Sequence, residues 1–468
     1  MKKSKKITIK DKKGITLVAL VITIIIIIIL STITLNAVFG DNGLINAAKQ
    51  TKEDAEDFVN EENGKMDGLL DEYANIMAED SNIANPIIVE ISESHTTSTI
   101  TINVETSSEE EMTYEYYING ELKATQSEPS YTVDVTLENK APYIPSGFTH
   151  TEGTVDDGYV IQDTSVGNEF VWIPVKSGTY TAYVVAKGSD GSRGRSDEIT
   201  IEISELTRVA NNPDGGIREY TTWTEDEGDV NDKKSVAYFK HSVVENSGFY
   251  MGRYEMGMPG QKSGEAPTLE MTYEAQNVSG VPVCVARVIP WINIDWSTAK
   301  ANLESMYNGE VQSAMMNSYA RTTTINWLQD TGNDLSDSKQ FGNYDSVNGG
   351  GVYFYFKGRY FVEGGIDVSN TSNYMNIGEA GEYVWRVLIE TGADTQIEKR
   401  HALNNIYDLA GNAGEWSTER GINGSSHRIS GGSYRNGSSR GIVDGNIALV
   451  SSGTTGNNET SSRPILYK

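Results

Sequence analysis

The hydrophobic pattern changes along the chain, and its first part is almost entirely apolar. Residues 15–35 are twenty-one consecutive uncharged positions, rich in isoleucine. A helix of that length spans roughly 30 Å, which matches the hydrocarbon core of a membrane. After residue 40, apolar positions recur at near-helical spacing with acidic residues between them. We predict a transmembrane α-helix over residues 15–39 and a helical stalk over residues 40–80, although a surface helix packed on the next domain would show the same pattern.

From residue 86 onwards the pattern becomes an alternation of apolar and polar positions, which is typical of β-strands. Six such runs lie at residues 87–91, 99–104, 114–118, 131–135, 180–186 and 199–203. Asn119-Gly120 follows the third run and favours a hairpin, because both residues tolerate positive φ. The pattern therefore predicts a β-sandwich over residues 85–205, interrupted at about 141–176.

Charge and composition restrict the classes of function. The 468 residues contain 38 Lys+Arg against 65 Asp+Glu, a net charge of −27, and seven of the lysines lie in the first fourteen residues. An acidic chain repels phosphate backbones, so nucleic acid is not an expected partner. The basic flank before residue 15 and the acidic flank after residue 40 predict, by the positive-inside rule, a single-pass cell-membrane protein with extracellular C-terminal domains. The single Cys284 excludes an intrachain disulfide.

The junction before the apolar segment resembles the leader of type IV prepilins. Its sequence is Lys-Lys-Gly-Ile-Thr-Leu-Val, residues 12–18. The resemblance implies a leader at residues 1–14 that a prepilin peptidase removes between Gly14 and Ile15, methylation of Ile15, other pilin-like subunits as partners, and incorporation in a pilus. The family usually carries Glu at the fifth mature position, where this chain has Ala19, and this argues against a bulk filament subunit. The alternative is a signal anchor that is never cleaved.

Two resemblances cover the remainder of the chain. The six alternating runs resemble a fibronectin type III domain, a module that is mostly a spacer. Five blocks resemble the formylglycine-generating-enzyme (sulfatase-modifying-factor) domain, a variant of the C-type lectin fold. These blocks are residues 170–175, 248–256, 288–300, 407–416 and 428–434. The second resemblance implies an α+β domain over residues 206–468 that also takes in residues 141–175. Either this domain splits the sandwich as an insertion or the two domains exchange strands.

The chain lacks the cysteines on which that family's chemistry depends. Its enzymes oxidise a client cysteine by means of two copper-binding cysteines after the Gly-Gly-Ser block, and residues 434–468 contain no cysteine. Thiolate is both the soft metal ligand and the redox group of that reaction. We therefore expect no enzyme activity and no copper. Cys284 lies in an apolar run and is expected to be buried and inert.

Cysteine-free members of this family serve as ligand-binding domains, and the tail has a composition suited to that role. Residues 433–462 are rich in Asn, Arg, Ser, Thr and Gly, which are adaptable hydrogen-bonding or turn-forming types. The ligand-binding residues that we predict are Tyr434, Arg435, Asn436, Ser438, Arg440, Asn457 and Asn458. The alternative is that this composition only forms solvated loops.

The same resemblance implies a calcium ion at the Gly-Asn-x-x-Glu block. The family binds Ca²⁺ there through backbone carbonyls and the Glu side chain, which are hard oxygen ligands. Carried over to this chain, the ligands are Gly411, Ala413 and Glu415. Gly414 stands where the family usually has Trp. In the alternative, Asn412, Glu415 and Trp416 only hold the loop to the core by hydrogen bonds.

Together these features predict a multidomain chain with a transmembrane helix, a fibronectin-like β-sandwich and an α+β lectin-like head. The predicted function is that of a bacterial cell-surface adhesin, a minor pilin whose non-catalytic head binds an unidentified surface protein or glycan. One alternative is a structural subunit of a pilus or surface assembly. A cysteine-dependent oxidase is the weakest alternative.

Overall fold

The computed structural model describes residues 87–108, 110–211, 217–218, 223–264, 278–336, 338, 342–344, 356–357, 360–362, 387–392, 394–395, 402–422, 426–434 and 459–468. The chain divides into two units, one of Met1–Pro86 with Gly188–Arg193 and one of Ile87–Lys187 with Gly194–Lys468. In the first unit, the described residues 188–193 form a turn in which the Gly188 N–H donates to the Ser192 carbonyl at 2.8 Å. Apart from Gly188 and Arg193, the residues described below belong to the second unit.

Residues 87–204 contain two facing β-sheets that share one core. The strands are β1 (Val89–His95), β2 (Thr99–Thr106), β3 (Met112–Ile118), β4 (Glu121–Gln126), β5 (Ser130–Asp134), β6 (Phe148–Glu152), β7 (Val160–Asp163), β8 (Glu169–Pro174), β9 (Ser177–Gly188), β10 (Arg193–Arg195) and β11 (Ile199–Ser204). One sheet has the order β1-β2-β5. In the other, β3 lies between β4 and β9, and β11 pairs with β9. The alternate apolar residues of both sheets form a single buried cluster that includes Ile100, Tyr116 and Val184. The predicted hairpin is present, with φ of 51° at Asn119 and 74° at Gly120.

Strands β6, β7 and β8 belong to a different sheet. Their partners are β15 (Gly248–Gly252), β16 (Gln312–Met315) and β26 (Pro464–Tyr467), and the six strands run in the order β16-β26-β15-β8-β7-β6. Phe249 on β15 faces Ile173 on β8, and Met251 faces Ile465 on β26. The segment between β5 and β9 therefore pairs with the C-terminal half of the chain.

The described residues of the C-terminal part include three capped helices. They are α1 (Val236–Asn246), α2 (Trp296–Glu304) and α3 (Ser318–Asp330). The Asp295 carboxylate caps α2 by accepting the Thr298 N–H at 2.8 Å, and the Asn317 side chain caps α3 by accepting the Ala320 N–H at 2.8 Å. α1 and α3 contribute Phe239, Ala320 and other apolar residues to the core cluster that also contains β8 and β15.

The remaining strands are short, except for one that carries much of the candidate site. They are β12 (Ala210–Asn211), β13 (Ile217–Arg218), β14 (Trp223–Thr224), β17 (Phe356–Lys357), β18 (Tyr360–Val362), β19 (Val387–Ile389), β20 (Asp394–Thr395), β21 (Ala402–Leu403), β22 (Ile406–Tyr407), β23 (Gly414–Gly421), β24 (His427–Ser430) and β25 (Thr460–Ser462). β23 pairs antiparallel with β24 and parallel with β25. Its first residues are thus enclosed on both sides by other strands.

The predicted fold class is wrong in its α-helical membrane anchor. The described residues are mostly β-strand, with helices of 11, 9 and 13 residues. At about 1.5 Å per residue the longest extends about 20 Å, less than a bilayer core. No helix in the described ranges is long and apolar enough to cross a membrane. The predicted single-pass membrane location is wrong on the same finding. The fold that the described residues show is β-rich. The predicted anchor (15–39) and stalk (40–80) lie outside the described residues.

Candidate functional site

Glu415 and Arg463 form a buried ion pair at the beginning of β23. Glu415 is 1% exposed and Arg463, which lies between β25 and β26, is 0% exposed. Arg463 Nε donates to Glu415 Oε1 at 2.6 Å, and the two terminal nitrogens donate to the carbonyls of Gly252 and Tyr407 at 2.8 and 2.7 Å. Burial raises the pKa of the Glu415 carboxyl, and the positive charge of Arg463 acts in the opposite direction. The pair thus ties β23 to β15 and β22.

Glu255 and Asn412 hold the Gly-Asn-x-x-Glu loop from inside the protein. Glu255 is 0% exposed. Its Oε1 accepts the Ala413 N–H at 2.8 Å, and its Oε2 accepts Asn412 Nδ2 at 2.6 Å. Burial raises the pKa of Glu255 well above the usual range of a carboxyl group. The Asn412 side chain also accepts the Ile389 N–H at 3.0 Å, so that it links both Glu255 and β19 to the loop.

The turn at Gly411 requires glycine. Its φ is 71°, and a Cβ there would lie 2.4 Å from the Asn343 carbonyl oxygen. The Asn412 N–H donates to that carbonyl at 2.8 Å. Trp416 Nε1 donates to the Ile294 carbonyl at 3.2 Å. The hydrogen bonds that would hold this loop to the core without an ion are therefore present.

Three buried side-chain oxygen atoms on neighbouring strands have no hydrogen-bond partner among the described residues. They are Glu415 Oε2, Ser430 Oγ and Ser461 Oγ. Ser430 on β24 and Ser461 on β25 are the register partners of Glu415. Carboxylate and hydroxyl oxygens are hard donors of the kind that calcium takes, whereas the other Glu415 oxygen is already bound to Arg463. No cluster of three or more His, Cys, Asp or Glu suited to a metal occurs in the described part of the chain. Calcium at Gly411, Ala413 and Glu415 stays a prediction.

Cys284 lies in the interior of the domain. It is 0% exposed, and its Sγ is 3.3 Å from the carbonyl oxygens of Glu169 and Tyr254, to which it donates. Its own N–H donates to Asn168 Oδ1 at 2.7 Å. Burial raises the pKa of the thiol to about 12, so that almost no thiolate forms at neutral pH.

Tyr434 marks one end of the predicted ligand-binding segment and is buried at 0% exposure. Its N–H donates to the Asn412 carbonyl at 2.7 Å. Its ring belongs to a buried cluster with Ile289, Leu388 and Ala413, among others. The ring is therefore a core element and is not available for a surface contact. The burial of Tyr434 could not be predicted from the local sequence, because its packing partners are distant along the chain.

Glu459, which follows the predicted ligand-binding residues, is hydrogen-bonded to Ser433, which precedes them. Ser433 Oγ donates to Glu459 Oε2 at 2.9 Å, and the Glu459 carbonyl accepts the Gly414 N–H at 2.7 Å. Ser433 and Glu459 therefore lie next to each other in the fold. The remaining predicted ligand-binding residues lie outside the described part of the chain, as do the processing residues. They are Arg435, Asn436, Ser438, Arg440, Asn457, Asn458, Gly14 and Ile15.

Sequence reasoning missed Glu255 and Arg463. Each is a charged residue beside an apolar strand, Phe249–Met251 for Glu255 and Pro464–Tyr467 for Arg463. A charge in such a position indicates a buried partner, because an unpaired buried charge is costly. The pattern does not identify that partner, which for Glu255 is 157 residues away.

Comparison of the chain with protein-family models finds no match, and comparison with curated proteins finds no match either. The resemblances to prepilins, to fibronectin type III domains and to formylglycine-generating enzymes stay predictions.

Proposed function

We propose that the protein is a non-catalytic recognition protein whose C-terminal part presents residues 435–458 to a ligand. The observation that carries this proposal is the junction at Ser433 and Glu459. The hydrogen bond between these side chains brings together two points of the chain that are 26 residues apart. Long segments whose ends are fixed on a rigid scaffold are a frequent location of binding residues.

The buried surroundings of the junction support its role as a scaffold. Tyr434 on one side and Thr460–Ser462 on the other are fully buried, and Thr460–Ser462 pair with β23. Three buried charged residues of the same domain make hydrogen bonds within the protein. They are Glu255, Glu415 and Arg463. A rigid base of this kind lowers the entropic cost of presenting a loop to a partner.

The state of Cys284 supports the non-catalytic part of the proposal. A thiol serves as a nucleophile or copper ligand in its thiolate form, and this thiol is buried with a raised pKa. Oxidation of a client cysteine would also require a second thiol, and the chain has one cysteine.

The proposal is tested with the purified full-length chain on an array of glycans and peptides. The variant R435A/N436A changes two predicted contact residues and leaves the buried Tyr434 in place. Removal of a guanidinium and an amide from a polar interface should reduce binding to any captured array member at least tenfold. The matched control, R193A/N231A, changes the same residue types at exposed positions elsewhere and should bind as the wild type does.

Two outcomes would contradict the proposal. Array binding that is equal in R435A/N436A and in the wild type would show that the segment does not make the contact. Absence of binding to any array member by a folded wild-type chain would instead favour the structural-subunit alternative. The melting temperature of both variants should stay within a few degrees of the wild type, as is usual for surface substitutions.

A further inference from the structure

A cavity of about 430 Å³ lies where the end of α3 meets the connections around β8 and β11. Its volume is within the range of small-molecule sites. Val155, Val175 and Trp327 contribute apolar surface to its wall, and Trp327 is 7% exposed. The indole Nε1 of Trp327 is buried without a hydrogen-bond partner in the described residues. Most of the other lining residues are polar, so that a slim apolar group fits only against Val155, Val175 and Trp327.

The charged groups of the cavity are unbalanced. Its lining includes the carboxylates of Asp156, Glu205 and Asp330 and the ammonium of Lys176, which is three negative charges against one positive charge. Lys176 Nζ is 3.2 Å from Glu205 Oε1, so that these two charges compensate each other. The carboxylates of Asp156 and Asp330 remain, a formal charge of −2, and neither has a hydrogen-bond or ion-pair partner within the described ranges.

The position of Asp330 strengthens the negative potential. Asp330 is the last residue of α3, where the carbonyl groups of the final turn and the helix dipole are already negative. A carboxylate at a helix C-terminus is unfavourable by itself and is relieved by a cation. Because the whole chain carries a net charge of −27, an anionic ligand is disfavoured further.

We propose that this cavity binds an ammonium or guanidinium group on an aliphatic stem, with the stem against Val155, Val175 and Trp327 and the cation at Asp156 and Asp330. The same chemistry is available in a free diamine and in a lysine or arginine side chain of a peptide. Both carboxylates are exposed to solvent, so that each ion pair contributes little and the expected affinity is in the millimolar range. The site deepens the proposed recognition function, and its lining residues are different from those of residues 435–458.

The test uses the purified full-length chain and saturation-transfer NMR. The cationic probes are 1,5-diaminopentane and Nα-acetyl-lysine methylamide, and the neutral probe is 1,5-pentanediol, which has the stem of the diamine without its charge. We expect the cationic probes to bind and the diol to bind at least fivefold more weakly. Raising the salt concentration should weaken binding of the cationic probes, because exposed charges are screened.

Variants locate the contact. D156N/D330N retains the size of both side chains and removes their charge, and it should weaken binding of the cationic probes at least fivefold. D226N is the matched control, because Asp226 is exposed and does not line the cavity. Melting temperatures equal to the wild type within a few degrees establish that both variants are folded.

The outcomes separate this inference from the proposed function. Binding of the diamine alone identifies a free amine as the source, and binding of the lysine derivative alone identifies a peptide; each supports the proposal. Equal binding of the diol, or undiminished binding by D156N/D330N, overturns it. The R435A/N436A variant should bind both cationic probes as the wild type does, so that failure at one site is distinguished from failure at the other.

Discussion

Arg463 donates its Nε hydrogen to Glu415 Oε1 at 2.6 Å, with both side chains at most 1% exposed. This bond joins β23 to the connection between β25 and β26, and the other nitrogens of Arg463 bind carbonyls of two further segments. Loss of either partner of a buried charge pair leaves the other charge unpaired, so that the pair favours the arrangement of strands that brings both residues together. The proposed scaffold, which includes β23 and β25, depends on this arrangement.

Replacement of Arg463 by methionine should destabilise the protein by about 3–5 kcal/mol, because it leaves the Glu415 carboxylate buried without its counter-charge. Urea unfolding of the full-length chain, followed by tryptophan fluorescence, measures the loss. As a control, Lys123→Ala removes an exposed ion pair with Glu121 and should change the unfolding free energy by less than about 1 kcal/mol. A small effect of Arg463→Met would mean that the pair is not buried as described.

His427 should make the protein less stable in mild acid. Its ring stacks on Trp296 with 3.9 Å between the centroids, and burial, together with the nearby positive charge of Arg420, lowers the pKa of His427 from 6.5 to about 4. Between pH 6.5 and pH 4, His427 binds a proton in the unfolded chain but stays neutral in the folded chain. The stabilising contribution is therefore complete above pH 6.5 and is lost as the pH falls towards 4. His427→Phe retains a ring for the stack and should show a smaller fall in melting temperature between pH 6.5 and pH 4; curves that run parallel would contradict the assignment.

Cys284 should react slowly in the folded protein. Its thiol is fully buried, and a pKa raised to about 12 leaves roughly one molecule in ten thousand as thiolate at pH 8. Labelling with a disulfide reagent should be at least about 100-fold slower in buffer than in urea that unfolds the chain. Rapid labelling of the native protein would show an accessible thiol and would reopen the oxidase alternative.

Calcium binding at Gly411, Ala413 and Glu415 would stabilise the folded state by mass action. About 5 mM Ca²⁺ should then raise the melting temperature relative to the same protein in a chelator, and Mg²⁺ should have a smaller effect because it demands a tighter octahedral set of ligands. Glu415→Gln should remove the increment, measured against its own lower starting temperature. Superimposable curves with and without calcium would leave the loop held by hydrogen bonds alone.

Much of the sandwich could be predicted from local pattern. Alternation of apolar and polar residues in runs such as residues 99–104 and 114–118 predicts strands with one buried face, and the structure has strands there with alternate residues buried. Asn119-Gly120 predicts a turn because φ is positive at both positions. These are properties of neighbouring residues, so that a local pattern contains the necessary information.

The candidate site could be predicted only in part. The glycine turn at 411 and the adjoining Glu415 were recognised from their motif, but their partners Glu255 and Arg463 were not. Tyr434 was assigned to a surface and is buried, because its neighbours Ile289 and Leu388 come from distant parts of the chain. A composition suited to recognition says nothing about which of its members face the solvent.

The sequence by itself determined that the chain is acidic, that it has one thiol, and that strands with alternating polarity lie within residues 87–135 and 180–203. Only the tertiary structure decided that β8 pairs with β15, that Arg463 neutralises Glu415, and that Ser433 is hydrogen-bonded to Glu459. The physical reason is the range of the interactions. Charge, thiol content and strand periodicity depend on a residue and its neighbours, whereas strand order and buried ion pairs depend on which distant segments can satisfy each other's hydrogen bonds and charges in the same interior.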